Sequence, residues 1–119
     1  MPIRDDVLVV GGGLAGMTAA LAAAEAGAQV RLCSHNRSTL RQASGLVDVL
    51  GAVDGDGPIA DPFAAVERLP EDHPYRVVGV DAIRAGLRHF DSAVGDAYAG
   101  SHTDRNALVL THGGTVKPT

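Results

Sequence analysis

The sequence is short of what a large aromatic core or an oxidised extracellular fold requires. It has no Trp, two Tyr and two Phe in 119 residues, so Ala, Val and Leu must fill the interior and each gains less on burial than an aromatic ring. A chain of this length holds one domain with a modest core, burying roughly 65% of its unfolded surface, and a complete two-domain enzyme does not fit. The single cysteine, Cys33, cannot close an internal disulfide, which points to a reducing intracellular compartment. Without a CxxC pair the chain holds no iron–sulfur cluster of its own. Long apolar runs are missing too. Val7 to Val10 meets glycine after four residues and follows Asp5 and Asp6, so it reads as neither a signal peptide nor a membrane span. Direct membrane insertion is therefore not expected. Basic runs are absent and the net charge is -4, which argues against a nucleic-acid surface.

What is present begins with a strand signal. Val7 to Val10 is a continuous apolar, largely β-branched run, as in a strand buried on both faces of a parallel sheet. Leu14 to Ala26 is rich in strong helix formers, with Leu14, Met17, Leu21 and small alanines able to pack on a sheet, and Gly27 stops it. Ala28 to Cys33 alternates as a second strand would. This is the spacing of a βαβ unit. Beyond it, 35–41 reads as loop, 46–50 as a short apolar segment and 51–58, rich in Gly and Pro, as a surface excursion. Asp61 and Pro62 suit a helix start, with an end before Pro70. His73-Pro74-Tyr75 is expected to be non-helical. Ile83, Leu87, Phe90 and Val94 recur at helical steps, which predicts an amphipathic helix over 81–99 with Arg84, Arg88 and Asp91 on its polar face. Residues 107–110 and 115–117 read as short strands about a Gly113-Gly114 turn.

Strand, then Gly11-Gly12-Gly13-Leu14-Ala15-Gly16, then helix is the context that makes a GxGxxG match specific. The first glycine permits the tight turn, the second lets backbone approach a phosphate, and the third lets helix and strand pack closely. The phosphate then meets free N–H groups and the positive end of the helix dipole. By this motif the cofactor is FAD or another dinucleotide; the bland alternative is a turn that only joins a strand to a helix. The acid that ends strand two in such sites and holds the adenosine ribose is here Ser34. Nearby His35 and Arg37 suit a phosphate, as in NADP or a flavin mononucleotide, or simply face solvent.

Four blocks carry a likeness to a known family: Val9 to Gly16, Ser44-Gly45-Leu46-Val47-Asp48-Val49-Leu50, His73-Pro74-Tyr75, and Gly113-Gly114-Thr115-Val116. Across its length the chain resembles the flavoprotein B-subunit of the anaerobic, quinone-linked glycerol-3-phosphate dehydrogenase. The resemblance implies oxidation of sn-glycerol 3-phosphate to dihydroxyacetone phosphate, with electrons relayed to the respiratory chain. It also implies FMN in this subunit, an FAD-bearing catalytic subunit and an iron–sulfur, membrane-anchoring subunit as partners. The protein would then be cytoplasmic, held at the inner face of the cell membrane through those partners. Residues 1–119 are expected to be the N-terminal part of a flavin- or dinucleotide-binding domain, with the rest of that domain and any cap domain beyond them. The fold class expected is α/β, an incomplete Rossmann-like FAD/NAD(P)-binding βαβ domain with a parallel sheet, plus a helical and short β-hairpin excursion.

The candidate cofactor-binding residues are Gly11, Gly12, Gly13, Leu14, Ala15, Gly16, Ser34, Arg41, Ser44 and Gly45. Ser44 and Gly45 follow strand two where a loop returns towards a flavin ring in related folds, or else begin a helix. Arg41 offers a charge to flavin or phosphate. No catalytic residue is assigned, because a flavin carries the redox chemistry itself. Cys33 is expected to be an inert core residue. The histidines lack metal-binding spacing, so no metal is expected; His73 is expected to support a turn, and His112, beside Gly113, is a minor cofactor candidate. Two other readings stay open, a cofactor-free assembly module and an NADP-dependent reductase domain. A short parallel sheet with an open edge is also expected to pair with another chain or to swap segments.

Overall fold

The computed structural model describes residues 4–35, 38–98 and 104–119. Arg37 lies outside the described residues, as do Ala99 and His102. The chain divides into two compact units, Met1–Gly45 and Leu46–Thr119.

In the first unit, strand β1 (Val7–Val10) leads through the glycine turn into helix α1 (Leu14–Glu25) and back to strand β2 (Val30–Cys33). The strands pair in parallel, with Val7 opposite Val30 and Val10 opposite Cys33. α1 closes as its sequence requires. Gly27 takes a φ of 91°, donates to the Ala24 carbonyl at 2.9 Å, and lets Ala28 N–H reach the Ala23 carbonyl at 3.1 Å. At the far end of the sheet the Asp6 carboxylate accepts from Gln29 N–H at 2.8 Å, and Asp5 pairs with Arg31 at 2.5 Å.

Two expectations fail in this unit. β1 is not buried on both faces: Val7 and Val9 are half-buried, while Leu8 and Val10 are 60% and 80% exposed. Cys33, expected in the core, is exposed. Both follow from how little covers the sheet. One helix packs against the Val9 side and one neighbouring strand flanks β1, so alternate side chains of a two-stranded sheet face outward. Leu14, Met17 and Leu21 likewise stay 41%, 41% and 38% exposed.

The second unit holds the buried residues. Ile59, Phe63, Ala65 and Val66 form the apolar core, and Pro62 is fully buried beside them. Helix α2 (Pro62–Ala65) starts as expected, with the Asp61 carboxylate accepting from Phe63 and Ala64 N–H at 3.1 and 2.9 Å; it tightens to a 3₁₀ turn over Val66–Arg68. His73-Pro74-Tyr75 is not the non-helical stretch expected from its sequence. His73 caps helix α3 (Pro74–Val78), its Nδ1 accepting from Tyr75 N–H at 3.1 Å. Proline breaks a helix only in its interior; at the first position its missing N–H costs nothing.

Gly79, at a φ of 84°, turns the chain into helix α4 (Val80–Val94). α4 ends before the expected 99, because Gly95 takes a φ of 48° and a 3₁₀ turn follows. Arg84 is not on a wholly polar face. It lies half-buried with its guanidinium 4.5 Å from the centre of the Phe63 ring, paired with Asp104 at 3.2 Å. Strands β3 (Leu108–Leu110) and β4 (Val116–Pro118) form the expected antiparallel hairpin, with Gly114 in its turn at a φ of 79°. The Asn106 amide ties this end together by donating to the Leu50 and Ile59 carbonyls at 2.9 and 2.8 Å.

Candidate functional site

The glycine turn sits where β1 ends, and its geometry follows from three local constraints. Gly11 N–H donates to the Cys33 carbonyl at 2.8 Å, carrying the parallel ladder one step beyond β1, and its φ of 116° is one that side-chain-bearing residues rarely adopt. A Cβ on Gly16 would fall 1.9 Å from the Gly11 carbonyl oxygen, so helix and turn approach this closely only with glycine there. Gly13 differs from both. Its backbone is extended, with φ -80° and ψ -177°, and a Cβ would meet nothing within 4 Å. The protein leaves that space open at the mouth of the helix.

Gly13 is also the N-cap of α1 and supplies no side-chain acceptor, and no acidic residue stands in the first turn. The first helical bond runs from Met17 N–H to the Gly13 carbonyl at 2.9 Å. The N–H groups of Leu14, Ala15 and Gly16 therefore have no acceptor within the helix, and they carry its partial positive charge of about half a unit. Donors, charge and open space coincide, which is what a phosphate requires. The residues present thus fit the phosphate of a flavin cofactor.

Ser34 joins this constellation. A Cβ on Gly12 would lie 2.9 Å from the Ser34 Oγ, so the serine side chain borders the second glycine of the turn. Arg41 lies in a 3₁₀ turn (Thr39–Gln42) and is exposed, as are Ser44 and Gly45 after it. No helix follows Ser44, which removes its helix-start reading; Gly45 takes a φ of 81°. His73 is engaged in capping α3, and its ring meets Tyr75 edge-on with centroids 5.2 Å apart. His112 is exposed at the β3–β4 turn.

The grooves described in the second unit make poor anion sites. Open grooves of about 470 and 450 Å³ flank Asp56, Gly57 and Pro58, but the cations on them are already engaged, Arg68 by Asp56 and Lys117 by Asp48. The Asp48 carboxyl feels burial pushing it up, yet the hydrogen bonds from Lys117 and Thr119 and the Lys117 charge together hold it below the usual carboxylate value. Asp48 and Asn106 were not foreseen as structural ties, since their partners lie far along the chain. Among the described residues no helix is long and apolar enough to cross a membrane, and no group of three or more His, Cys, Asp or Glu is placed to hold a metal ion.

A parallel strand–glycine turn–helix with an uncapped helix mouth defines the phosphate-binding end of a nucleotide- or flavin-binding α/β domain. The family described as FAD binding domain matches residues 6–119, and the chain belongs to it. Over its whole length it is 63% identical to the probable anaerobic glycerol-3-phosphate dehydrogenase B-subunit of Halobacterium salinarum. It is 37% identical, over 96% of its length, to the anaerobic glycerol-3-phosphate dehydrogenase B-subunit of Vibrio cholerae. The chain spans 28% of the length of each of these relatives. No solved structure matches it significantly.

Proposed function

We propose that this chain is the flavin-binding part of the B-subunit of a quinone-linked anaerobic glycerol-3-phosphate dehydrogenase. The observation that carries the reading is the glycine turn, with its open space at Gly13 and uncapped α1, in a chain similar along its whole length to proteins of that name. The complex oxidises sn-glycerol 3-phosphate to dihydroxyacetone phosphate and passes electrons to the respiratory chain. Its other members are an FAD-bearing catalytic subunit and an iron–sulfur subunit that anchors it at the cytoplasmic face of the membrane.

A bound flavin supplies the acceptance and release of electrons. The chain's own residues bind and orient it: Leu14, Ala15 and Gly16 direct their N–H groups at a phosphate, Gly13 keeps side-chain atoms out of the way, and Gly16 holds α1 against β1 so that those donors stay fixed. Arg41, Ser44 and Gly45 belong to the segment that follows β2 and are proposed to meet the cofactor further from its phosphate.

The test is Gly13→Glu in the full chain purified with its partner subunits. The substitution fills the open space and sets a negative charge against the phosphate. Flavin content read by absorbance, and quinone-linked oxidation of glycerol 3-phosphate, should both collapse; unchanged values reject the reading. A second reading, an assembly module without cofactor, is favoured by the exposed Leu8 and Val10. Flavin absorbance bands in the purified chain would reject that alternative.

A further inference from the structure

The elements that build the glycine turn are each too weak to stand alone. α1 has 12 residues, a length at which an isolated helix is marginal in water. Glu25 is its one charged residue and stands at the negative end of the helix dipole, and Gly16 is a poorer helix former than alanine. Gly27 closes the far end, but the mouth has neither a side-chain cap nor an acid in its first turn. β1 and β2 are four residues each in a two-stranded parallel pair, a size and pattern that does not hold by itself. Packing does not make up the difference. Among the described residues of this unit none is buried, and Leu8, Val10, Leu14, Met17, Leu21 and Leu32 are exposed. The second unit is built otherwise, with Asp61 capping α2 and Ile59, Phe63, Ala65 and Val66 withdrawn from solvent.

We propose that flavin uptake and the ordering of the first unit are one coupled event. In the flavin-free protein β1, α1 and β2 open together while the second unit stays folded, and a phosphate at the mouth of α1 closes them. The N–H groups of Leu14, Ala15 and Gly16 converge only when α1 is formed, so an anion held by them binds the folded unit and not the open one. That anion supplies the missing cap and a countercharge at the positive end of the helix. A ligand that binds only the folded form shrinks the open population in proportion to its free concentration. The bare mouth of α1 is then what makes the turn responsive, since an aspartate cap like that of α2 would order the helix without any ligand. This inference rests on the flavin-binding reading above, and it concerns what binding does to the fold.

Hydrogen exchange, read peptide by peptide, tests the coupling in the full chain purified with its partner subunits, stripped of flavin and reloaded with FMN or, in parallel, FAD. At a free flavin concentration about 100 times its Kd, exchange across 5–34 should slow about a hundredfold. The slowing should reach Ala22 to Ala28, at the end of a helix about 18 Å long, and should leave 59–66 unchanged. Riboflavin, which has the ring without the phosphate, should leave exchange at the flavin-free rate. Slowing confined to 11–17 overturns the proposal, because flavin would then shield only what it touches. Slow exchange across 5–34 before any flavin is added overturns it too, as does a slowing that 59–66 shares or that riboflavin reproduces. Uptake is counted by absorbance, with the Gly13→Glu complex as the blank for any other flavin site. Uptake above that blank without slower exchange overturns the coupling and leaves the flavin-binding reading standing, whereas no uptake above it rejects both.

Discussion

The two units of this chain hold their shape by different means. Between Ile59 and Val66 the second unit withdraws five side chains from solvent, and Arg84 lies over the ring of one of them. Among the described residues of the first unit none is buried, although this is the unit that carries the glycine turn proposed to hold a phosphate. Its order comes from the backbone: a parallel ladder extended by Gly11, an αL glycine that closes α1, and a helix brought against the turn because Gly16 has no side chain. A site that must present bare N–H groups to an anion is made of glycine and alanine, and such residues bring little apolar area to bury. The site and the core have therefore parted company.

The sharpest break of that contrast is in the core. Phe63 is 3% exposed and lies beneath Arg84. Phe63→Ala should cost about 3–5 kcal/mol through lost transfer energy and a residual cavity, read as a fall in the urea midpoint of the second unit. A change confined to that unit sharpens the contrast, whereas a loss under ~1 kcal/mol would mean that the core is not where stability resides.

In the first unit the corresponding lever is a single hydrogen atom. Gly16→Ala drives a methyl group to 1.9 Å from the Gly11 carbonyl oxygen, where backbone must move. The expected cost is ~1–3 kcal/mol, the range for forced overpacking, together with loss of flavin uptake. Gly13→Ala provides the comparison, because its methyl meets nothing in the protein. Stability should stay within ~0.5 kcal/mol, as for surface changes, while flavin affinity falls. Circular dichroism melts set beside flavin titrations separate the two. Equal loss of stability in both variants would show that the turn tolerates no side chain for structural reasons alone.

The same division explains what the sequence disclosed. β1, the glycine turn and α1 were legible because each is specified by neighbours in sequence: β-branched residues, glycine spacing, an alanine-rich run and a stop at Gly27. The exposure of Leu8, Val10 and Cys33 was not, since burial depends on how many strands and helices cover a sheet, a property no local window contains. His73-Pro74 was misread for a correctable reason, as a cap followed by proline at the first helical position is itself a start signal. The ties of Asn106 to Leu50 and Ile59 join segments far apart in the chain, and only the folded structure shows them.

The smallest expected effect concerns a tie of that long-range kind. Asp48 belongs to the Ser44 to Leu50 block and pairs with Lys117 of β4 at 2.5 Å, with both side chains 40% exposed. Solvent screening at that exposure limits the pair to under ~1 kcal/mol. Because the folded carboxyl lies below its ordinary value of 3.8, its contribution is present above that pH and is lost as pH falls through the lowered value. Wild type should therefore exceed Asp48→Asn in urea midpoint at neutral pH, and the two should converge in acid. High salt should shrink the neutral-pH difference as well. A gap that persists unchanged into acid would mean that Asp48 acts through hydrogen bonds its neutral form keeps. This tie would then rest on neutral bonds, as that of Asn106 does, and the contrast of the second unit with the backbone-built first unit would narrow.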